Sequence, residues 1–151
     1  MPPEFTLTSD PIDDARQVVA VAGEIDLFTA PELKAALGEA LESGRIRIVV
    51  DLTETTYLDS TALGVLIGAV KRLRSRDGVL TIVNTDANIA KTFEITGLDQ
   101  IFTIRPTRDE AVEALDADEA AAERNGDATA IQGPLEKAVL KLLEGQAGDE
   151  S

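Results

Sequence analysis

The chain has 151 residues, 44% apolar and 28% charged, with 28 acidic against 14 basic side chains and a formal net charge of −14. Phosphate backbones and anionic lipids are bound through Lys and Arg clusters that displace counterions, so this balance excludes direct nucleic-acid and membrane partners and favours a partner bearing basic groups. Cysteine and histidine are absent, which removes disulfides, zinc sites of the Cys/His kind, thiol chemistry and a histidine base.

Residues 1–16 carry neither a basic segment nor an apolar run, so no signal peptide is expected. No stretch approaches the roughly 18 apolar residues of a membrane span, and the expected location is the cytoplasm. Residues 4–8 (EFTLT) alternate weakly and read as a short strand; 9–17, with Pro11 and two aspartates, read as a connecting loop. The β-branched run 18–22 (VVAVA) before Gly23 reads as a buried strand, antiparallel to the first because so few residues join them. Glu24 and Asp26 form an acidic pair at its end, either stabilising a turn or bordering a functional end of a sheet. Thr29-Ala30-Pro31-Glu32 fits a capping box opening a helix with Leu33, Ala36, Leu37, Ala40 and Leu41 on one stripe and Gly44 as its stop.

Residues 45–52 read as the next strand, followed by a polar loop and then Asp59-Ser60-Thr61, which opens the most informative helix, expected to run to about Arg76. Leu63, Leu66, Ile67, Val70 and Leu73 follow the i, i+3, i+4, i+7 pattern of a helix laid on a sheet. Thr61, Gly64, Val65, Gly68 and Arg72 then fall on the opposite face, small and nearly flat at its start. Asp77-Gly78 turns the chain into a strand at 79–83. Asp86 caps a helix with Ile89, Ala90 and Phe93 inward, and Gly97-Leu98 ends it in a Schellman-like motif. Residues 101–104 read as a last strand. Thr107-Arg108-Asp109-Glu110 is a second capping box, with Val112 and Leu115 facing inward.

Strands alternating with helices predict an α/β sandwich with right-handed crossovers and, given the initial antiparallel pair, a mixed sheet. The core domain is expected over 1–115. Residues 116–126 are rich in Ala and acids, 127–133 form a small-residue linker, and 134–144 are amphipathic, with Leu135, Ala138, Val139 and Leu142 on one side. A helix of that length is marginal alone in water, so it should dock on its own domain, on a second copy or on a partner.

No cofactor motif is present: there is no phosphate loop, dinucleotide fingerprint or Gly-x-Ser-x-Gly elbow. As a nucleophile Ser60 would need a base that the sequence does not supply. Two readings of Ser60 stand. Asp and Ser are preferred helix caps worth on the order of 1 kcal/mol, so Asp59-Ser60-Thr61 serves simply to start a helix. Alternatively Ser60 accepts a phosphate. The free N–H groups and positive end of the helix would tolerate it there, while roughly −1.5 to −2 charge would be added beside the flat face. A divalent-metal site would combine the Glu24–Asp26 pair with Asp59, and a phospho-acceptor role for Asp51 lacks the accompanying acidic pair and Lys.

Three blocks, Gly23-Glu24-Ile25-Asp26-Leu27-Phe28-Thr29-Ala30-Pro31, Tyr57-Leu58-Asp59-Ser60-Thr61-Ala62-Leu63-Gly64-Val65-Leu66 and Phe93-Glu94-Ile95-Thr96-Gly97-Leu98, closely resemble the bacterial anti-sigma factor antagonists, which are STAS domains. The resemblance covers about residues 4–115. It implies a STAS-like mixed sheet packed against helices, with a C-terminal helical extension outside the resemblance. It implies a non-enzymatic protein that binds an anti-sigma factor serine kinase and so frees the sigma factor. Phosphorylation of Ser60 would end binding, and a serine phosphatase would restore it. The same resemblance makes Asp59 and Thr61 the residues flanking the phosphosite and Asp26 an acidic neighbour of it. With the flat face it makes Asp26, Ala62, Gly64, Val65 and Gly68 the expected partner contacts. Ala62 departs from the Gly that many members carry; Ala is the better helix former and adds only a methyl. A second role for the same fold is an unphosphorylated scaffold, for example the soluble subunit of a lipid-transport ATPase.

Overall fold

A computed structural model describes the backbone of residues 5–125 and the side chains of residues 5–116. The linker at 127–133 and the amphipathic segment at 134–144 lie outside the described residues. The elements are β1 (Thr6–Pro11), β2 (Arg16–Ile25), α1 (Ala30–Glu42), β3 (Arg47–Leu58), α2 (Ser60–Arg74), β4 (Val79–Val83), α3 (Ala87–Thr96), a 3-10 turn (Leu98–Gln100), β5 (Thr103–Arg105) and α4 (Arg108–Asn125). The five strands lie in sequence order. β1 is antiparallel to β2, and all other pairs are parallel. The mixed α/β sheet expected from the alternation of strands and helices is therefore present.

Period-two alternation divides the sheet's faces. Val19, Ile48, Val50 and Ile82 join the core formed with α1, α2 and α3, whereas Val18, Val49 and Val83 pack on Ala111 and Leu115 of α4. The stripes expected on α1 and α2 are all buried. On α4 the inward residues are Ala111, Ala114 and Leu115, while Val112 sits only half-buried at the edge. Phe93 and Phe102 meet edge to face, with centroids 5.8 Å apart at 67°. Gly78 lies where β4 begins because a Cβ there would stand 2.5 Å from the Ile46 carbonyl oxygen. Gly97, at φ 77°, takes the left-handed stop of α3 that its sequence context predicts.

Several boundaries move. β1 runs to Pro11, a position an edge strand tolerates, and the Asp13 carboxylate accepts from the Ala15 and Arg16 amides to make a shorter turn than the predicted loop. β5 begins at Thr103, because Ile101 and Phe102 are spent on the core. α2 stops at Arg74 rather than Arg76. α4 continues helical to Asn125, so the boundary placed at residue 115 falls inside a helix.

The largest correction concerns residues 53–58, expected as loop. They continue β3, paired with the end of β2 through Ala22–Glu54, Gly23–Thr55, Glu24–Tyr57 and Ile25–Leu58. β4 pairs with β3 only up to Asp51–Val83, so β2 and β3 project together beyond the parallel sheet as a two-stranded arm. Thr55 closes it sideways, its hydroxyl donating to the Val21 carbonyl at 2.8 Å. Thr and Tyr favour extended backbone, but their polarity hides the strand in the sequence.

Asp51, 7% exposed, pins α4 to the sheet. Its Oδ2 accepts two bonds from the Arg108 guanidinium, at 3.1 and 2.9 Å, and its Oδ1 accepts from the Thr53 amide at 3.0 Å and from the Thr53 hydroxyl. Burial, the largest single influence, pushes this carboxyl up, but the Thr53 and Arg108 bonds together hold it below the usual value. A lowered folded pKa stabilises the fold above the unfolded-state value and loses that contribution as pH falls through the folded one. Asp51→Asn should therefore cost roughly 1–2 kcal/mol at pH 7, discounted for the half-exposed Arg108. The gap to the wild type should be full above about pH 5 and shrink as pH drops below about 4, as read by chemical denaturation at each pH. A pH-independent gap would mean that shape, not charge, secures the joint.

Candidate functional site

The site forms where the β2–β3 arm ends. Leu58 closes β3, Asp59 turns with φ −100° and ψ −177°, and Ser60 is the first residue of α2. The Asp59 carboxylate accepts from the Ala62 amide at 3.0 Å, so Asp59 is the cap and Ser60 is not. Ser60 is partly exposed, as are Asp59 and Thr61. The last turn of α2 carries Lys71, Arg72 and Arg74, which complement its dipole.

The Asp59 amide donates to the Ile25 carbonyl at 3.1 Å, which locks the start of the next loop beside Ser60. In that loop Asp26 Oδ1 accepts from the amides of Phe28 at 2.9 Å and Thr29 at 3.0 Å, while the Thr29 hydroxyl accepts from the Asp26 amide at 2.9 Å. This reciprocal pair is a capping box lying three residues before the predicted one. The box expected from Thr29 to Glu32 is not formed: Thr29 has helical backbone and makes no side-chain cap bond, because its hydroxyl is already committed to Asp26 and the Glu24 carbonyl. The Thr29 amide in particular, and the Phe28 amide behind it, hold the Asp26 carboxyl below the usual range against partial desolvation. Asp26 is thereby anionic at neutral pH and fixes the loop's shape.

That loop presents Leu27 (62% exposed) and Phe28 (83%), and Tyr57 (51%) stands nearby on the arm. Three large apolar side chains in water at one end of a small domain mark an interaction surface. Reading the sequence alone misses all three as contacts. The available signal is Leu27-Phe28, an apolar pair on neither a helical nor a strand period.

On the other side of Ser60, Thr61, Gly64, Val65 and Gly68 form the outer face of α2, as their spacing predicts. The face is not flat. With Leu37 of α1 it walls a groove of about 280 Å³, with Lys34 and Arg72 among its lining residues. Ala62 does not belong to it: it is 0% exposed and packs in the core, so it is not a partner contact and its methyl acts on helix packing. Asp26, Asp59, Ser60 and the Thr61–Gly68 face are thus brought together. Among the described residues no three carboxylates gather as a metal site, and Asp59 has its carboxylate engaged as a cap. The arrangement is suited to docking a macromolecule around one hydroxyl.

The STAS domain family model matches residues 9–111, and the chain belongs to that family. Among curated proteins it is 45% identical over 87 residues to an anti-sigma-B factor antagonist of Listeria monocytogenes, covering 58% of this chain and 76% of the relative. A second antagonist of the same name, from Staphylococcus aureus, is 38% identical over 86 residues, covering 57% and 80%. The solved structure of an anti-sigma factor antagonist from Mycobacterium paratuberculosis superposes with a TM-score of 0.68 at 31% identity, covering 75% of this chain and 95% of that one.

Proposed function

We propose that this protein is an anti-sigma factor antagonist that works by binding, not catalysis, and that phosphorylation of Ser60 switches the binding off. The carrying observation is the placement of Ser60: a partly exposed hydroxyl at the first residue of α2, between the Leu27–Phe28–Tyr57 cluster and the groove of α2. The names of the relatives support the antagonist role. A partner seated on both surfaces holds the hydroxyl at the centre of its interface. If that partner is a serine kinase, transfer requires the γ-phosphate of its nucleotide to come in line with this hydroxyl. After transfer, the dianion on Ser60 faces the nucleotide phosphates that remain on the partner, and like charges drive the complex apart. The phosphate leaves the fold intact because it stands at the positive end of α2. A serine phosphatase resets the switch.

Incubation with the cognate anti-sigma kinase and ATP, followed by peptide mass mapping, should place a single phosphate on Ser60. A constitutive complex with an ATPase subunit, with Ser60 never modified, would favour the scaffold role instead.

A further inference from the structure

The outer surface of α2 differs in charge from the chain that carries it. Residues 60–76 contain no Asp or Glu, although the whole sequence has 28, and they include Lys71, Arg72, Arg74 and Arg76. Arg72 reaches across the helix pair: a Cβ at Gly38 of α1 would stand 3.8 Å from its Nη1. Lys34 of α1 borders the same groove. Among the described residues neither Lys34 nor Arg72 joins an ion pair. The sequence explains why. Glu32, Glu39 and Glu42 of α1 stand two, five and eight residues from Lys34, outside the three- or four-residue spacing at which helical charges meet. Arg72 has no acid anywhere in its own helix.

Beside these cations the groove is apolar, with Leu37, Val65 and Ala69 in its wall. It is open above Gly64 and Gly68, where an added Cβ would meet nothing within 4 Å. Two exposed cations bordering an apolar trough match an amphipathic segment that fills the trough and carries Asp or Glu along its edge. The heads of the two helices have the opposite sign: Asp59 caps α2, and Asp26 lies in the loop leading into α1. A uniformly basic partner would meet like charge at Lys34 and Arg72, and a uniformly acidic one would meet it at Asp26 and Asp59. The basic partner favoured by a net charge of −14 is thus required at the helix heads and not along the groove.

We propose that the anti-sigma partner seats an amphipathic, carboxylate-edged segment in the α1–α2 groove, against Lys34 and Arg72, while its basic groups meet Asp26 and Asp59. The proposal rests on the antagonist reading above and adds the chemistry of the partner. Only one direction along the groove pairs both signs, so the partner is held over Ser60 in a single register.

Calorimetric titration of full-length variants with the cognate anti-sigma partner tests this. Lys34→Glu and Arg72→Glu should each weaken binding by about 10-fold. Lys91→Glu is the control, making the same change of net charge at an exposed position of α3 outside the groove, and should stay within about twofold. Gly68→Leu should fill the trough and weaken binding at least 30-fold. The same substitution should raise the melting temperature by about 2–4 °C, because a helical Gly is replaced where there is room for a side chain. Binding by Lys34→Glu and Arg72→Glu as tight as by Lys91→Glu, or tighter, would overturn the proposal. So would a Gly68→Leu variant that loses self-association and keeps its partner affinity, since the occupant would then be a second copy. Failure of the wild type itself to bind an anti-sigma partner would instead strike the antagonist reading, and the proposal with it.

Discussion

Ser60→Asp should weaken binding to the anti-sigma partner by about 100-fold or more, while the melting temperature moves by no more than about 2–3 °C. The two halves of this expectation have separate causes. Ser60 is the first helical residue of α2, next to a cap supplied wholly by Asp59. An acidic residue in the first turn interacts favourably with the helix dipole, by some tenths of a kcal/mol, so the fold loses nothing. At the interface the carboxylate lies between two docking surfaces, beside Asp59 and with Asp26 fixed as an anion in the adjoining loop. Burying one more charge without a partner costs several kcal/mol, and 100-fold corresponds to about 2.7 kcal/mol. Ser60→Ala should bind within about threefold of the wild type and no longer respond to kinase and ATP. Calorimetric titration against the anti-sigma partner, with thermal melts of each variant, reads both halves. Tight binding by Ser60→Asp would remove the switch.

Phe28→Ala should weaken the same complex by about 30-fold and leave stability within about 0.5 kcal/mol. An 83% exposed phenyl ring contributes little to the folded state, since truncating it opens no cavity. Its value lies in the complex, where a buried aromatic anchor is typically worth about 2 kcal/mol or more. The loop carrying it is rigid before docking, held by the Asp26–Thr29 capping box and by the Asp59–Ile25 hydrogen bond, so little ordering entropy opposes binding. Ile12→Ala is the control: Ile12 is also exposed, at 46%, but lies in the β1–β2 turn at the far end of β2. If both substitutions weaken binding equally, the effect is generic apolar loss and the Leu27–Phe28–Tyr57 cluster is not the docking surface.

Most of the scaffold was legible because it rests on periodicity. The α1 and α2 stripes, the runs at 18–22, 45–52 and 79–83, and the Asp86 and Gly97 caps each repeat a local pattern set by burial on one face. The misreadings came where a short-range motif had a competitor. Thr29 can cap its own helix or brace the preceding turn, and only the position of the Glu24 carbonyl decides between them. Residues 53–58 have a strand's backbone preference and a loop's polarity; the presence of β2 alongside settles the matter.

By itself the sequence determined the α/β class, the antiparallel start, the family blocks and Ser60 as the hydroxyl at the start of α2. These are properties of adjacent residues, fixed by hydrogen bonding and side-chain period over one or two turns. Only the tertiary structure decided that Ala62 faces the core rather than a partner. It also left Leu27, Phe28 and Tyr57 exposed at the end of the β2–β3 arm, and hollowed the outer face of α2 into a groove against α1. Exposure and concavity depend on which distant segments cover a residue, and that coverage exists only once the two-stranded arm and the two helices have been brought together.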